Sequence, residues 1–197
     1  MAQLCGDAGL DLIKLKVFMK HDPNIVYAEC PSSHGNLYLA ATPQGLAGMW
    51  FTDQRHLPDV SNWQKRDDIN QQQILKETQR QLQAYFAGEL KQFDVPLDLS
   101  AGTPFQQAVW QALLKIPFGK TTSYGALSSS IAKPLAVRAV GTAIGRNPIG
   151  IIVPCHRVVG ADGSLTGYAG GLHRKEAFLT LESALAGSAR SLQGILL

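Results

Sequence analysis

The run Val153-Pro154-Cys155-His156-Arg157-Val158 sets a thiol, an imidazole and a guanidinium side by side, and offers the sequence's clearest covalent chemistry. Sulfur reacts as thiolate, and a free cysteine of pKa about 8.5 is mostly protonated at neutral pH. Activation therefore needs a neighbouring base or cation, and His156 is the base at hand. Ile149 to Val153 is apolar and β-branched, which reads as a short buried strand that stops at the cysteine. Cysteines in such surroundings often pack as inert small hydrophobes; the His and Arg neighbours argue for the reactive alternative. Adjacent side chains on an extended segment point opposite ways, so a proton leaving Cys155 for His156 is expected to pass through a water or a local kink.

An imidazole base works best when an acid orients it. Beyond residue 100 only three acids occur, Asp162, Glu176 and Glu182. Asp162 sits in the turn-like GADGS and Glu176 in the polar HRKE stretch. Glu182 follows Phe178, Leu179 and Leu181 and is the expected buried partner. Between these, Gly167-Tyr168-Ala169-Gly170-Gly171 is a glycine-rich loop whose aromatic would wall a flat ligand; the alternative is a plain surface turn. Upstream, Val137, Val140 and Ile144 form the expected core stripe of a helix. Ala136, Ala139, Thr142 and Ala143 then remain as small neighbours, and Arg138 stands outward from a nearly bare surface. Small side chains permit close approach to a backbone, and the minor groove is only about 6 Å wide, so such a helix suits that groove; the alternative is an ordinary alanine-rich packed helix.

Residues 36–52 alternate Leu37, Leu39 and Ala41, turn at Pro43-Gln44-Gly45 and resume at Leu46, the pattern of a β-hairpin. Residues 67–87 place Ile74, Leu75, Thr78, Leu82, Tyr85 and Phe86 on one helical face, predicting a helix over a small sheet. Phe93, Val95, Leu97 and Leu99 alternate in an extended segment that leads out toward Gly102-Thr103-Pro104, where a boundary is expected near residue 100. Thr103-Pro104 opens a helix carrying Phe105, Val109, Ala112, Leu113 and Ile116. Ser123 caps a short helix from about Tyr124 to Ile131. Pro134 suits the first position of another, about Leu135 to Ile144, that stops at Gly145, and the pair reads as a helix-turn-helix. The expected division is 1–100, an α/β unit; 101–185, a mainly helical unit; and 186–197, a small polar tail that is loosely docked or disordered.

The chain has 197 residues, 45% of them hydrophobic, enough for one large or two small cores. Three cysteines, Cys5, Cys30 and Cys155, are too sparse and odd a set for a secreted disulfide framework, which points to a reducing compartment, the cytoplasm or nucleus. No basic-then-apolar leader and no apolar run of roughly 18 residues is present, so neither export nor membrane insertion is expected. Residues 1–100 carry 9 Lys+Arg against 12 Asp+Glu, net −3; the remainder carry 9 against 3, net +6. A basic half beside an acidic one fits a single polyanion-facing surface.

Tyr124, RAVGTAIGRNP from Arg138 to Pro148, VPCHRVVG from Val153 to Gly160 and GYAGGLHRKEAFL from Gly167 to Leu179 closely resemble the O6-methylguanine-DNA methyltransferases. The resemblance is dense from Thr103 to Glu182 and looser before that, where the first half is similar to the family's smaller α/β domain with its RNase-H-like sheet. It implies an α/β N-terminal domain plus a mainly α C-terminal domain with a winged-helix-like helix-turn-helix. It further implies that Cys155 accepts an alkyl group from O6-alkylguanine, with O4-alkylthymine as a further substrate. His156 then acts through a water, Glu182 orients His156, and Tyr124 polarises the leaving guanine. Arg138 fills the place of the flipped nucleotide, with Ala136, Ala139 and Thr142 against DNA, and Asn147 braces the turn before the active cysteine. Tyr168 and backbone groups at Cys155, Val158 and Ala169 bind the base. The implied partner is double-stranded DNA containing alkylated guanine, met by a monomer that needs no cofactor.

Two departures from the family pattern stand out. Position 169 is Ala where some members carry Ser, so only its backbone N–H is available to O6. Cys5, Cys30 and His34 do not match the surroundings of the structural zinc that some members bind, and no metal is expected. Two other readings compete with alkyl transfer. One is a DNA-binding regulator that uses only the helix-turn-helix, and the other a thiol hydrolase built on Cys155, His156 and Glu182.

Overall fold

The computed structural model describes residues 24–185; Cys5 and the tail 186–197 lie outside the described residues. Four strands form a sheet: β1 (Val26–Cys30), β2 (Leu37–Thr42), β3 (Gly45–Phe51) and β4 (Gln64–Lys65), in the order β3-β2-β1-β4. β1 and β3 flank β2 antiparallel, and β4 runs parallel to β1. The hairpin expected over residues 36–52 is β2–β3, with Leu37 opposite Phe51 and Leu39 opposite Met49. Gly45 is required at its start, because a Cβ there would come within 2.5 Å of the Pro96 carbonyl oxygen. That approach is the extended 93–99 segment docking on β3: the Leu46 and Asp98 amides donate to Pro96 O and Leu46 O, each at 2.8 Å.

Helix α1 (Gln73–Phe86) lies against this sheet, with Leu75, Thr78, Gln81, Leu82 and Tyr85 buried. It starts six residues later than the sequence pattern implies. Asp68 caps a separate 3-10 turn, Ile69–Gln71, and the Gln72 side chain accepts from Leu75 N to open the helix proper. Polar side chains that bond nearby amides compete with helix continuation in this way.

The second half is helical, as expected. Thr103 and Gln106 form a reciprocal capping box with Pro104 in the first turn, opening α2 (Pro104–Leu114). Ser123 caps α3 (Tyr124–Ser130), and α4 (Val137–Gly145) completes the helix-turn-helix. A two-strand parallel ladder, β5 (Thr122–Ser123) with β6 (Val158–Val159), and α5 (Leu172–Leu181) follow. Trp110 of α2 donates its indole N–H to Ala143 O of α4 at 2.9 Å, satisfying the one polar atom of a buried ring.

Several expectations need correction. α4 begins at Val137, not Leu135: Pro134 and Leu135 lie in the preceding turn, and Leu135 is 99% exposed. Its buried stripe is Val140, Ala143 and Ile144, while Val137 faces outward. Ile149–Val153 is no strand but a series of tight turns, with Ile151 at φ 65°. The run takes its backbone partners from itself, from the Asn147 side chain and from β3, where Gly150 N donates to Met49 O at 3.3 Å. The HRKE stretch is not a polar surface either, since Arg174 and Lys175 are both buried.

One core runs through both halves, from Leu39, Leu75 and Leu82 to Val109, Val140, Ile149 and Phe178; a smaller cluster of Ile25, Ala40, Trp50 and Trp63 covers the sheet's other face. Arg174 of α5 clasps the halves together. It pairs with both oxygens of Asp53 at 2.9 and 3.0 Å, donates to His34 O at 2.8 Å, and lies 4.0 Å over the Phe51 ring. No helix among the described residues is long and apolar enough to cross a membrane.

Candidate active site

Cys155 opens a single 3-10 turn, Cys155–Arg157, rather than ending a strand. The turn curls because Cys155 N donates back to Val153 O at 2.8 Å and Arg157 N to Pro154 O at 3.0 Å. This supplies the local kink that an extended segment lacked. Cys155, His156 and Arg157 are all buried.

Asn147, at the end of α4, holds this region in shape. Its Nδ2 donates to Val153 O at 2.7 Å and its Oδ1 accepts from Ile149 N at 3.1 Å, so one amide closes the loop before the cysteine. Burial pushes the Cys155 thiol up, opposed by the Asn147 side chain and the Lys175 charge. The resting group is therefore a thiol, and a base must take its proton.

The adjacent imidazole is held in a form that can accept a proton. His156 is fully buried, and burial pushes its pKa down although Glu182 works the other way. Its Nε2 lies 3.0 Å from Glu182 Oε1. An ionised carboxylate only accepts, so the hydrogen sits on Nε2 and the Nδ1 lone pair is free. Among the described residues, Nδ1 is the one buried side-chain nitrogen or oxygen with no hydrogen-bond partner.

Glu182 is held as a carboxylate by an unusual number of donors. Burial alone would favour its protonated form, but hydrogen bonds from His156 and Arg157 outweigh it and bring the pKa to about 2. Arg157 grips both oxygens, Nε to Oε2 and Nη2 to Oε1, each at 2.9 Å; Tyr85 Oη reaches Oε1 at 2.8 Å and Gly119 N reaches Oε2 at 3.2 Å. Arg157 spends its remaining Nη1 on Ile116 O at 2.6 Å.

Cys155 faces a cleft of about 350 Å³. Tyr124 at the start of α3, Thr142 and Asn147 of the α4 region, and Tyr168 and Ala169 of the glycine-rich loop line it. Tyr124 Oη donates to Thr166 O at 3.3 Å, and burial pushes its pKa up, so it remains a neutral donor. Gly167, at φ +51°, must stay small, since a Cβ there would come within 3.0 Å of Tyr124 Oη. Val158 is not on the cleft. Its carbonyl receives Lys175 Nζ at 2.5 Å, and Lys175 also donates to Thr166 O at 2.6 Å, which ties the turn to the loop. Burial lowers Lys175 to about 8.

Arg138 and Ala139 are exposed on α4, Ala136 is half-buried at its start, and Thr142 is exposed with its hydroxyl donating to Arg138 O at 3.1 Å. The sequence reasoning missed the cleft's other wall, Met49, Gln54, Arg55 and His56 from the end of β3 and the loop after it. Arg55 N donates to Ala169 O at 3.2 Å, holding that loop to the glycine-rich one. No lining residue is acidic, while Arg55 and Arg146 are both cationic. Arg157 and Tyr85 were also missed as partners of the carboxylate.

A ribonuclease-like sheet joined to a helix-turn-helix, with a cysteine on the cleft between them and a buried histidine–carboxylate pair in the adjoining turn and helix end, defines the class of protein. Residues 25–99 match the 6-O-methylguanine DNA methyltransferase ribonuclease-like domain, and residues 104–184 the DNA binding domain of the same family. The chain belongs to the 6-O-methylguanine DNA methyltransferase family. It is 49% identical over 162 residues to the methylated-DNA–protein-cysteine methyltransferase of Mycobacterium bovis, covering 82% of this chain and 94% of that one. The protein of the same name from Methanosarcina acetivorans is 48% identical, over 80% and 98% of the two chains. The fold is similar to the crystal structure of Mycobacterium tuberculosis OGT in complex with DNA, with a TM-score of 0.73 and 48% identity over 81% of this chain and 93% of that one.

Proposed function

We propose that this protein repairs DNA directly, moving the alkyl group of O6-alkylguanine in double-stranded DNA onto Cys155 in one irreversible turnover. The observation that carries the chemistry is the free Nδ1 of a buried, neutral His156 whose Nε2–H is fixed on Glu182. The thiol proton passes through a water to Nδ1, and the sulfur attacks the alkyl carbon in line. The carbon–O6 bond breaks, and its electron pair enters the guanine ring, which Tyr124 stabilises by donating to a ring nitrogen. A thioether remains, which has no easy leaving group, so turnover stops at one. The leaving guanine takes a proton at its ring nitrogen, matching the one His156 received from the thiol and gives up to solvent, so charge and protons balance without a cofactor.

The alkyl carbon lies inside the duplex, so the nucleotide must leave the stack, at a cost of a few kcal/mol that is least for a badly paired base. Arg138 offsets part of that cost by entering the gap from the minor groove, where Ala136, Ala139 and Thr142 let α4 approach closely. The flipped base lies against Tyr168 and its neighbours in the glycine-rich loop and meets backbone groups at Cys155 and Ala169, with Asn147 holding the turn. The working unit is a cytoplasmic monomer divided into 1–100, an α/β domain, 101–185, the alkyltransferase domain, and the tail 186–197.

A duplex labelled in its O6-methyl group tests this reading. Label should move to the protein with one-to-one stoichiometry and not at all to Cys155→Ser. Label on the serine variant, or more than one transfer per molecule, rules the reading out. Repeated hydrolysis of an acyl ester would favour a thiol hydrolase instead.

A further inference from the structure

We propose that Tyr85, on the helix that covers the N-terminal sheet, is a positioning residue for the transfer: its hydroxyl aligns Glu182 with His156. The proposal rests on the alkyl-transfer reading. Tyr85 is 97 residues from Glu182 in the chain, yet its Oη lies 2.8 Å from Oε1, the oxygen that also takes His156 Nε2 at 3.0 Å. The tyrosine is 1% exposed, and its ring is wedged among Phe86, Phe93, Phe118 and Phe178, with centroids 5.3 to 6.4 Å away. The hydroxyl therefore has one direction to point. Burial, and then the Glu182 charge, keep the phenol protonated, so it only donates to this carboxylate.

The consequence follows from how the charge on Oε1 is shared. Three side chains donate to that atom: Tyr85, His156 and Arg157 Nη2. Removing the phenol leaves more negative charge for His156 Nε2–H, which favours the imidazolium and withdraws the base at a higher pH. The other ionisable groups around the pair are Arg157 and Lys175, whose charges both disfavour imidazolium, and Cys155 beside His156 in the same turn. None of them replaces a donor lost from α1. The N-terminal unit thus contributes to the chemistry as well as to the fold.

The test is the single-turnover rate of full-length protein on a methylguanine duplex, measured across pH for wild type, Tyr85→Phe, Glu182→Gln and the double variant, with melting curves alongside. Tyr85→Phe should lower the plateau by about tenfold, the scale of one hydrogen bond to a charged group. Its acid limb should also move up by about 0.5 pH unit. Both effects should shrink toward nothing in the Glu182→Gln background, because the tyrosine acts only through that carboxylate. An acid limb that coincides with the wild-type one, whatever happens to the plateau or the melting temperature, overturns the proposal. So does an equal rate loss with and without the carboxylate. Should Glu182→Gln fail to fold, the position of the acid limb decides alone. Failure of wild type to take label defeats the transfer reading itself and is a separate outcome.

Discussion

At the residue scale, the site works by assigning one proton state to each group. Burial holds Cys155 as thiol and His156 neutral, while five donated hydrogen bonds hold Glu182 ionised. Stability follows with a definite sign. Glu182 is depressed from 4.5 to about 2, so its contribution is complete above about 4.5 and is lost as pH falls toward 2. His156 is depressed below 6.5, so protons favour the unfolded chain there and stability falls as pH drops under that value. Melting temperature should therefore decline steadily below pH 6.5, and Glu182→Gln should flatten the lower part of that decline. An unchanged slope in the variant would show that the carboxylate is not held as described. Arg157 teaches the same lesson about buried charge: Arg157→Ala leaves Glu182 short of two donors and should cost about 3–5 kcal/mol in chemical denaturation.

At the scale of elements, α4 and the turn after it carry separate tasks. Arg138 is exposed on α4, so Arg138→Ala should slow transfer from duplex DNA by at least about tenfold, given a flipping cost of a few kcal/mol. Transfer from a free O6-alkylguanine base should keep its wild-type rate. Equal losses on both substrates would place Arg138 in the chemistry instead. Asn147→Ala removes two hydrogen bonds that close the turn and should cost about 1–3 kcal/mol of stability along with transfer from either substrate. These elements were legible in the sequence to different degrees. Thr103, Pro104 and Ser123 announce helix starts through chemistry that is local, and the hairpin turn does likewise. Ile149–Val153 misled because an apolar β-branched run reads as strand whatever its partners. Its real shape depends on Met49, about 100 residues earlier in the chain, and on Ile151 adopting a left-handed backbone that composition does not reveal.

At the scale of the whole molecule, the two halves share one core and one cleft, and the links between them are polar and specific. Cys155, His156 and Glu182 were legible because they lie within 28 residues of sequence around one motif. Tyr85, Arg55 and His56 were not, because their relevance exists only once the sheet unit is placed against the helices. The same holds for Arg174, which reads as one of a polar run and is a buried clasp. Arg174→Ala should cost about 2 kcal/mol or more, losing a cation–π contact and several hydrogen bonds at once. Asp53→Ala should cost under about 1 kcal/mol, since that carboxylate's side chain is 64% exposed. Urea denaturation of both variants checks the contrast. Similar losses would mean that the ion pair, and not the burial of the guanidinium, joins the halves.

The central claim is that the Cys155 thiol ends as a thioether carrying the group removed from guanine. Peptide mass mapping of the protein after reaction with a methylguanine duplex tests it most directly. The account predicts one methyl in place of one hydrogen, confined to the peptide that contains Cys155, with unmodified guanine restored in the DNA. A methyl on Cys30 or on any other side chain, or a restored guanine with Cys155 still free, would contradict it.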